Sequence, residues 1–127
     1  MTRQLRLHKT DARSDVLEIN VLEESGYGGN GYLYEITSYG PRDRSTPPAV
    51  RLTIPFQNGP IAEAGVNGIT QEALLAIVAD RLECFQDGPY SCRENAIALT
   101  KIQEALHWLH HRTRERVARG VEGTSTP

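Results

Sequence analysis

Thr70-Gln-Glu-Ala-Leu-Leu-Ala-Ile-Val-Ala-Asp-Arg-Leu-Glu-Cys-Phe-Gln-Asp-Gly-Pro-Tyr-Ser-Cys-Arg-Glu-Asn95 is the stretch that decides the fold. Leu74, Leu75, Val78, Leu82 and Phe85 recur at helical spacing and so share one face of an α-helix. Thr70 offers a side-chain oxygen to the unpaired N–H groups of the first turn, and Glu72 complements the positive end of the helix. Pro89 cannot continue the helix, and Gly88 can take the left-handed position that follows a last turn. Ser91-Cys-Arg-Glu94 has the S-x-x-E form of a capping box and predicts a second helix. Leu99, Ile102, Leu106 and Leu109 continue it to about Ala118, where Gly120 stops it. Two amphipathic helices joined by so short a turn pack antiparallel.

Working back toward the N-terminus, the period changes to two. In residues 16–23, Leu17, Ile19 and Val21 alternate with Glu18 and Asn20. Residues 32–39 are rich in aromatic and β-branched side chains. Val50, Leu52 and Ile54 alternate with Arg51 and Thr53. This pattern predicts half-buried strands, and residues 4–8 add a short edge strand. The glycine-rich run 25–31 suits a hairpin loop because several of its positions tolerate positive φ. The polar, proline-rich run 40–48 suits neither strand nor helix. The expected class is therefore α+β: a small N-terminal antiparallel β-sheet of three to four strands, then a C-terminal antiparallel helical hairpin. The expected divisions are a sheet lobe with its connecting loop (1–69), the hairpin (70–119) and a C-terminal tail (120–127).

Composition bounds the function. In 127 residues, 39% are hydrophobic and 24% charged, which is a globular composition slightly poor in apolar residues. So short a chain has much surface for its volume, and oligomerisation would help to bury it. A net charge of −2 argues against a general DNA or RNA binder. No apolar run is long enough to span a membrane, and the first residues lack the apolar stretch of a secretory signal. Cys84 and Cys92 flank the predicted turn. They read as reduced thiols of a cytosolic protein, small and buried or half-buried.

Few motifs carry chemistry. Gly26, Gly28 and Gly31 satisfy G-x-G-x-x-G, but a strand follows them where a dinucleotide site requires a helix. Phe56-Gln-Asn-Gly-Pro60 recurs as Phe85-Gln-Asp-Gly-Pro89, which reads as two turns using one Gly-Pro chemistry. Glu104 and His107 form an E-x-x-H pair, and His107 and His111 share a helix face; a carboxylate di-metal bundle needs two such motifs, so no metal or other cofactor is expected. Trp108, among these histidines, reads as a packing residue. No catalytic constellation is visible, which lowers the expectation of an enzyme. Arg112, Arg116 and Arg119 form one stripe. Such a stripe is either a solvated face matching the helix dipole or a set of planar forks suited to pyrophosphate. Arg93 sits in a first helical turn, where the dipole disfavours a cation unless an anion binds there.

A longer ordered set of residues resembles a known family. It comprises Phe56-Gln-Asn-Gly-Pro-Ile61, Gly65-Val-Asn-Gly-Ile-Thr70, Glu72-Ala-Leu-Leu-Ala-Ile77, Arg81-Leu82, Cys92-Arg-Glu-Asn-Ala96, Thr100-Lys101, Glu104-Ala105, Trp108-Leu109, Arg112, Arg116 and Gly120-Val-Glu-Gly-Thr124. Together these look like the hairpin domain shared by the first type of phage Thoeris anti-defence sponge and the anti-CBASS cyclic-oligonucleotide sponge. The strand-rich first half is similar to the Thoeris member. The resemblance implies a phage protein, not an enzyme, acting in the cytoplasm of the infected bacterial host. It implies a binding protein that sequesters a TIR-derived cyclic ADP-ribose isomer without cleaving it, as a hexamer, with cyclic tri- or dinucleotides held by some members at separate sites. Carried over, the ADP-ribose-type site would use Phe85 to stack on the base, Asn95 for polar contacts, and Arg112 for pyrophosphate, with Arg116 beside it. Arg51 joins this set from its outward position on a strand. The cyclic-oligonucleotide site would use Arg93 and Ala96 about a three-fold axis. Two other functions remain open from the residues: a nucleotide-signal hydrolase or cyclase, and an oligomerisation module without a small ligand.

Overall fold

A computed structural model describes residues 3–10, 16–23, 31–38 and 48–127. The chain divides into two compact units, Met1–Ile69 and Thr70–Pro127.

The first unit holds strands β1 (Arg3–Leu5), β2 (Leu17–Glu23), β3 (Leu33–Ser38) and β4 (Val50–Pro55). They form one antiparallel sheet in the order β1-β2-β3-β4, as the period-two runs predict. Register follows the apolar alternation. Ile19 lies opposite Ile36, which lies opposite Leu52; Val21 lies opposite Tyr34, which lies opposite Ile54. One face therefore collects the apolar residues of three strands, and Val21, on a central strand, is fully buried. The expected half-burial weakens toward the edge, where Val50 and Leu52 remain 53% and 51% exposed. Among the described residues β4 has a strand neighbour on one side only, so its side chains lack half the flanking cover of β2 and β3. On the other face Arg51 pairs with Glu35 at 3.3 Å, and Thr37 is buried. The glycine-rich run 25–31 lies outside the described residues apart from Gly31, as does the polar run 40–48 apart from Pro48, and Tyr39 lies outside them too.

The connection after β4 is stitched by side-chain amides. The Ile69 N–H donates to the Pro55 carbonyl and the Gln57 N–H to the Ile69 carbonyl, both at 2.9 Å. Gln57 Nε2 donates to the carbonyls of Gly59 and Gly65, while its Oε1 accepts from the Asn67 N–H. Asn67 and Asn58 exchange two hydrogen bonds of 2.7 Å. A short helix α1 (Ile61–Ala64), which the sequence did not announce, ends at Gly65 with φ 74°. At Gly68 an added Cβ would lie 2.4 Å from the Phe56 carbonyl carbon and oxygen, so this position admits no side chain.

The second unit is the hairpin of α2 (Gln71–Asp87) and α3 (Arg93–Ala118). Thr70 caps α2 as expected, its Oγ1 accepting from the Ala73 N–H at 3.2 Å. The expected capping box is corrected: α3 begins one residue later, and Cys92 is its cap, with Sγ accepting from the Asn95 N–H at 3.4 Å. Gly88 is also corrected. It has φ −110°, not a left-handed conformation, and its N–H donates to the Phe85 carbonyl. Because Phe85 to Asp87 remain helical while Gly59 has φ 87°, the two Phe-Gln-x-Gly-Pro copies are not the same turn. At the far end, Gly120 (φ 73°) donates to the Val117 carbonyl and Val121 to the Arg116 carbonyl, the paired bonds of a Schellman motif. Among the described residues the hairpin's buried side chain is Ala79; α3 has none. Two helices alone cannot enclose their apolar stripes, so Leu99, Ile102, Leu106 and Leu109 stay only part-covered. Both cysteines are exposed, contrary to expectation: Cys92 stands at a helix start.

Candidate functional site

The turn end of the hairpin is held in shape by one amide. Gln86 Oε1 accepts from the Cys92 N–H at 3.1 Å, bracing the connection between α2 and α3. This fixes Phe85, in the last turn of α2, and Asn95, in the first turn of α3, at the same end of the unit. The Phe85 ring is half-buried, and the Arg81 guanidinium carbon lies over it, 5.0 Å from its centroid. Arg81 and Phe85 are four apart in one helix, so they stand on one face. The Asn95 side-chain amide makes no hydrogen bond among the described residues, because the cap uses only its backbone N–H. Arg93 is exposed at the start of α3, and Ala96 is exposed one turn in, its N–H donating to the Cys92 carbonyl.

This end of the unit combines an aromatic face, a carboxamide and two exposed guanidinium groups. These are the groups that suit a nitrogenous base and its phosphates.

The arginine stripe lies elsewhere. Arg112 is seventeen residues beyond Asn95 in α3, which at a rise of 1.5 Å per residue is about 26 Å along the axis. One chain therefore does not bring Phe85 and Asn95 together with Arg112. The stripe is also not uniform. Arg112 is exposed and makes no hydrogen bond among the described residues. Arg116 is 11% exposed and is engaged by the C-terminal tail. Its Nε donates to Glu122, its Nη1 to the Thr126 carbonyl, and its Nη2 to the carbonyls of Val121 and Thr124. Four of its five N–H donors are thus occupied, so the expected free stripe is corrected at this position. Arg119 donates to the Pro127 oxygen. Arg51 lies in the other unit, and its guanidinium faces Glu35.

The histidine cluster is arranged around Trp108, whose ring meets those of His107 and His111 edge-on at 5.5 and 5.8 Å. His111 also faces Glu115 at 3.8 Å, and Glu104 faces Lys101. Among the described residues no three His, Cys, Asp or Glu side chains are placed to hold a metal ion. The reading of Trp108 as a packing residue is corrected, since it is 66% exposed. It borders an open apolar groove of about 550 Å³, shared with Leu74, Leu75, Ala105 and Leu109. Gly31 leads into β3, so the helix that a dinucleotide fingerprint requires is replaced by a strand. No described helix is long and apolar enough to cross a membrane.

Sequence reasoning gave no site role to Arg81 or Gln86. The four-residue spacing of Arg81 and Phe85 was a legible signal. The Gln86 contact was not, because it depends on where the chain goes after the turn.

Comparison with known proteins places this hairpin. The chain is 56% identical over 72 residues to Thoeris anti-defense 1 of Bacillus phage SBSphiJ7. The match covers 57% of this chain and 51% of the relative, so the chain spans about half the length of the protein it matches. The family described as "Acb2/Tad1, hairpin domain" matches residues 48–114, which include β4, the amide-stitched connection, α2 and most of α3. With more than half of its residues inside that match, the chain belongs to the Acb2/Tad1 hairpin-domain family.

Proposed function

We propose that this chain is a phage anti-defence sponge that binds a TIR-derived cyclic ADP-ribose isomer and holds it uncleaved. The observation that carries the reading is the family match across the hairpin, whose turn end presents the half-buried Phe85 ring together with an Asn95 amide that makes no side-chain hydrogen bond among the described residues. Phe85 stacks on the base and Asn95 supplies polar contacts. Arg112 binds the pyrophosphate from a second subunit packed antiparallel, because within one chain it is about 26 Å away along α3. Arg116 contributes its remaining donor while holding the tail, and Arg51 is a further ligand contact. The working assembly is a hexamer in the cytoplasm of the infected host. Cyclic tri- or dinucleotides bind separately, at Arg93 and Ala96 about a three-fold axis.

A sponge acts by mass action, so it must hold its signal more tightly than the effector does. Sub-micromolar binding needs more than about 8 kcal/mol. An aromatic stack with bidentate arginine contacts, closed off by a neighbouring subunit, is of the right kind to provide it.

The test is to incubate the protein with the TIR product and then denature it by heat. Intact signal should return to solution. Return of cleaved product alone would replace this reading with that of a hydrolase. No depletion of free signal before heating would leave an oligomerisation module.

A further inference from the structure

Arg81 has no role in the site as assigned above, yet it touches the residue on which that site turns. Its guanidinium lies over the Phe85 ring at 5.0 Å. The ordinary explanations for an arginine at this position do not cover it. It makes no ion pair among the described residues, unlike Arg51 with Glu35 or Arg116 with Glu122. It lies outside the last turn of α2, which holds no basic residue, so it does not complement the helix dipole.

The Arg81 N–H donors make no hydrogen bond among the described residues, so a guanidinium held over the ring keeps its planar set of donors available. The arrangement therefore places a cation over one side of an aromatic ring, with its donors unoccupied. A cation on one face restricts the ring's freedom before any ligand arrives, and pre-ordering of this kind lowers the entropy lost on binding.

We propose that Arg81 is a positioning and anion-recognising residue of the Phe85 site. It fixes the ring so that a base stacks on the opposite face, and its in-plane donors bind a phosphate oxygen of the same ligand. This rests on the proposed function, since it takes Phe85 as the base-stacking residue.

The test measures Kd for the TIR-made cyclic ADP-ribose isomer at low and high salt, on the full chain and on three variants. Arg81→Met keeps the packing on the ring and removes the charge and donors; it should bind roughly tenfold or more weakly, with a shallower salt dependence. Arg81→Lys keeps the charge without the planar fork; it should retain the salt dependence and recover only part of the affinity. Thermal unfolding should match wild type for both. Phe85→Ala is the reference for the site. If it abolishes binding while Arg81→Met binds as wild type with the same salt dependence, the Arg81 role is overturned and the site stands. If Arg81→Met weakens binding only together with a lower Tm and an unchanged salt dependence, Arg81 is a fold residue and the proposal fails. If the wild-type chain does not bind the probe, the proposed function falls, and this inference falls with it.

Discussion

Arg116, in the last turn of α3, reaches ten residues forward to the tail, its Nη1–H donating to the carbonyl of Thr126 at 2.8 Å. Three more donors of the same side chain hold Glu122, Val121 and Thr124. One guanidinium thus gathers a segment that has no regular secondary structure of its own.

Arg116→Ala should release the tail. Charge-assisted hydrogen bonds to partly exposed carbonyls suggest a loss of about 1–2 kcal/mol, with Tm falling by a few degrees. Hydrogen exchange gives the local measurement. The Val121 and Thr124 amides, both hydrogen-bonded in the folded tail, should lose protection, whereas α2 should not. Unchanged protection at these two amides would show that the tail is held by something else.

The two helix caps should respond in opposite directions. Thr70→Ala removes an oxygen acceptor from the start of α2 and should cost about 1 kcal/mol. Cys92→Ser replaces a weak sulfur acceptor at 3.4 Å with a preferred capping oxygen, and should add about 0.5 kcal/mol. Urea denaturation of the two variants beside wild type measures both. A destabilised Cys92→Ser chain would contradict the capping role of Cys92.

Glycine substitutions should separate crowding from backbone strain. At Gly68 a methyl group would meet the Phe56 carbonyl at 2.4 Å, and backbone cannot move aside as a flexible side chain can. Gly68→Ala should therefore cost about 3 kcal/mol or more. At Gly120, with φ +73°, there is open space within 4 Å, so Gly120→Ala should cost only about 1 kcal/mol of backbone strain. Chemical denaturation gives the order; equal losses would show that the 56–69 connection rearranges to admit the methyl.

Trp108→Ala tests the proposed assembly. A residue 66% exposed contributes little to the fold of an isolated chain, so Tm at high dilution should barely change. Its apolar groove is the kind of surface that another copy would cover, and aromatic side chains in such places carry much of the binding energy. Native mass spectrometry at micromolar protein should show smaller species for the variant than for wild type. Identical assemblies would exclude this groove from the subunit contacts.

Local order accounts for what could be read without coordinates. Thr70 sits next to the N–H groups it caps, and the apolar spacing of Leu74 to Phe85 and of Leu99 to Leu109 is a property of consecutive residues. The same holds for the alternation of Leu17, Ile19 and Val21 and of Val50, Leu52 and Ile54, whereas the register that sets Ile19, Ile36 and Leu52 side by side comes from the structure. The misses involve competition between neighbours. Ser91 and Cys92 both precede α3, and the cap went to the cysteine while Gln86 took the Cys92 N–H, a partner six residues back. Gly88 was free to turn left-handed, but its N–H bonds to Phe85 in an extended conformation.

The candidate site divides in the same way. Phe85, Asn95 and Arg112 were nameable from residue types and resemblance. That Arg116 is bound to the tail while Arg112 remains exposed could not be read from their shared stripe, because helical spacing says which residues face one way and nothing about what returns to meet them. The sequence by itself determined the strands, the two long helices, where they stop and the family to which they point, since these depend on contacts within a few residues. Only the tertiary structure decided which donors are occupied, above all the four of Arg116 that the returning tail engages. Those outcomes depend on how separate segments meet, and side-chain hydrogen bonding is settled there.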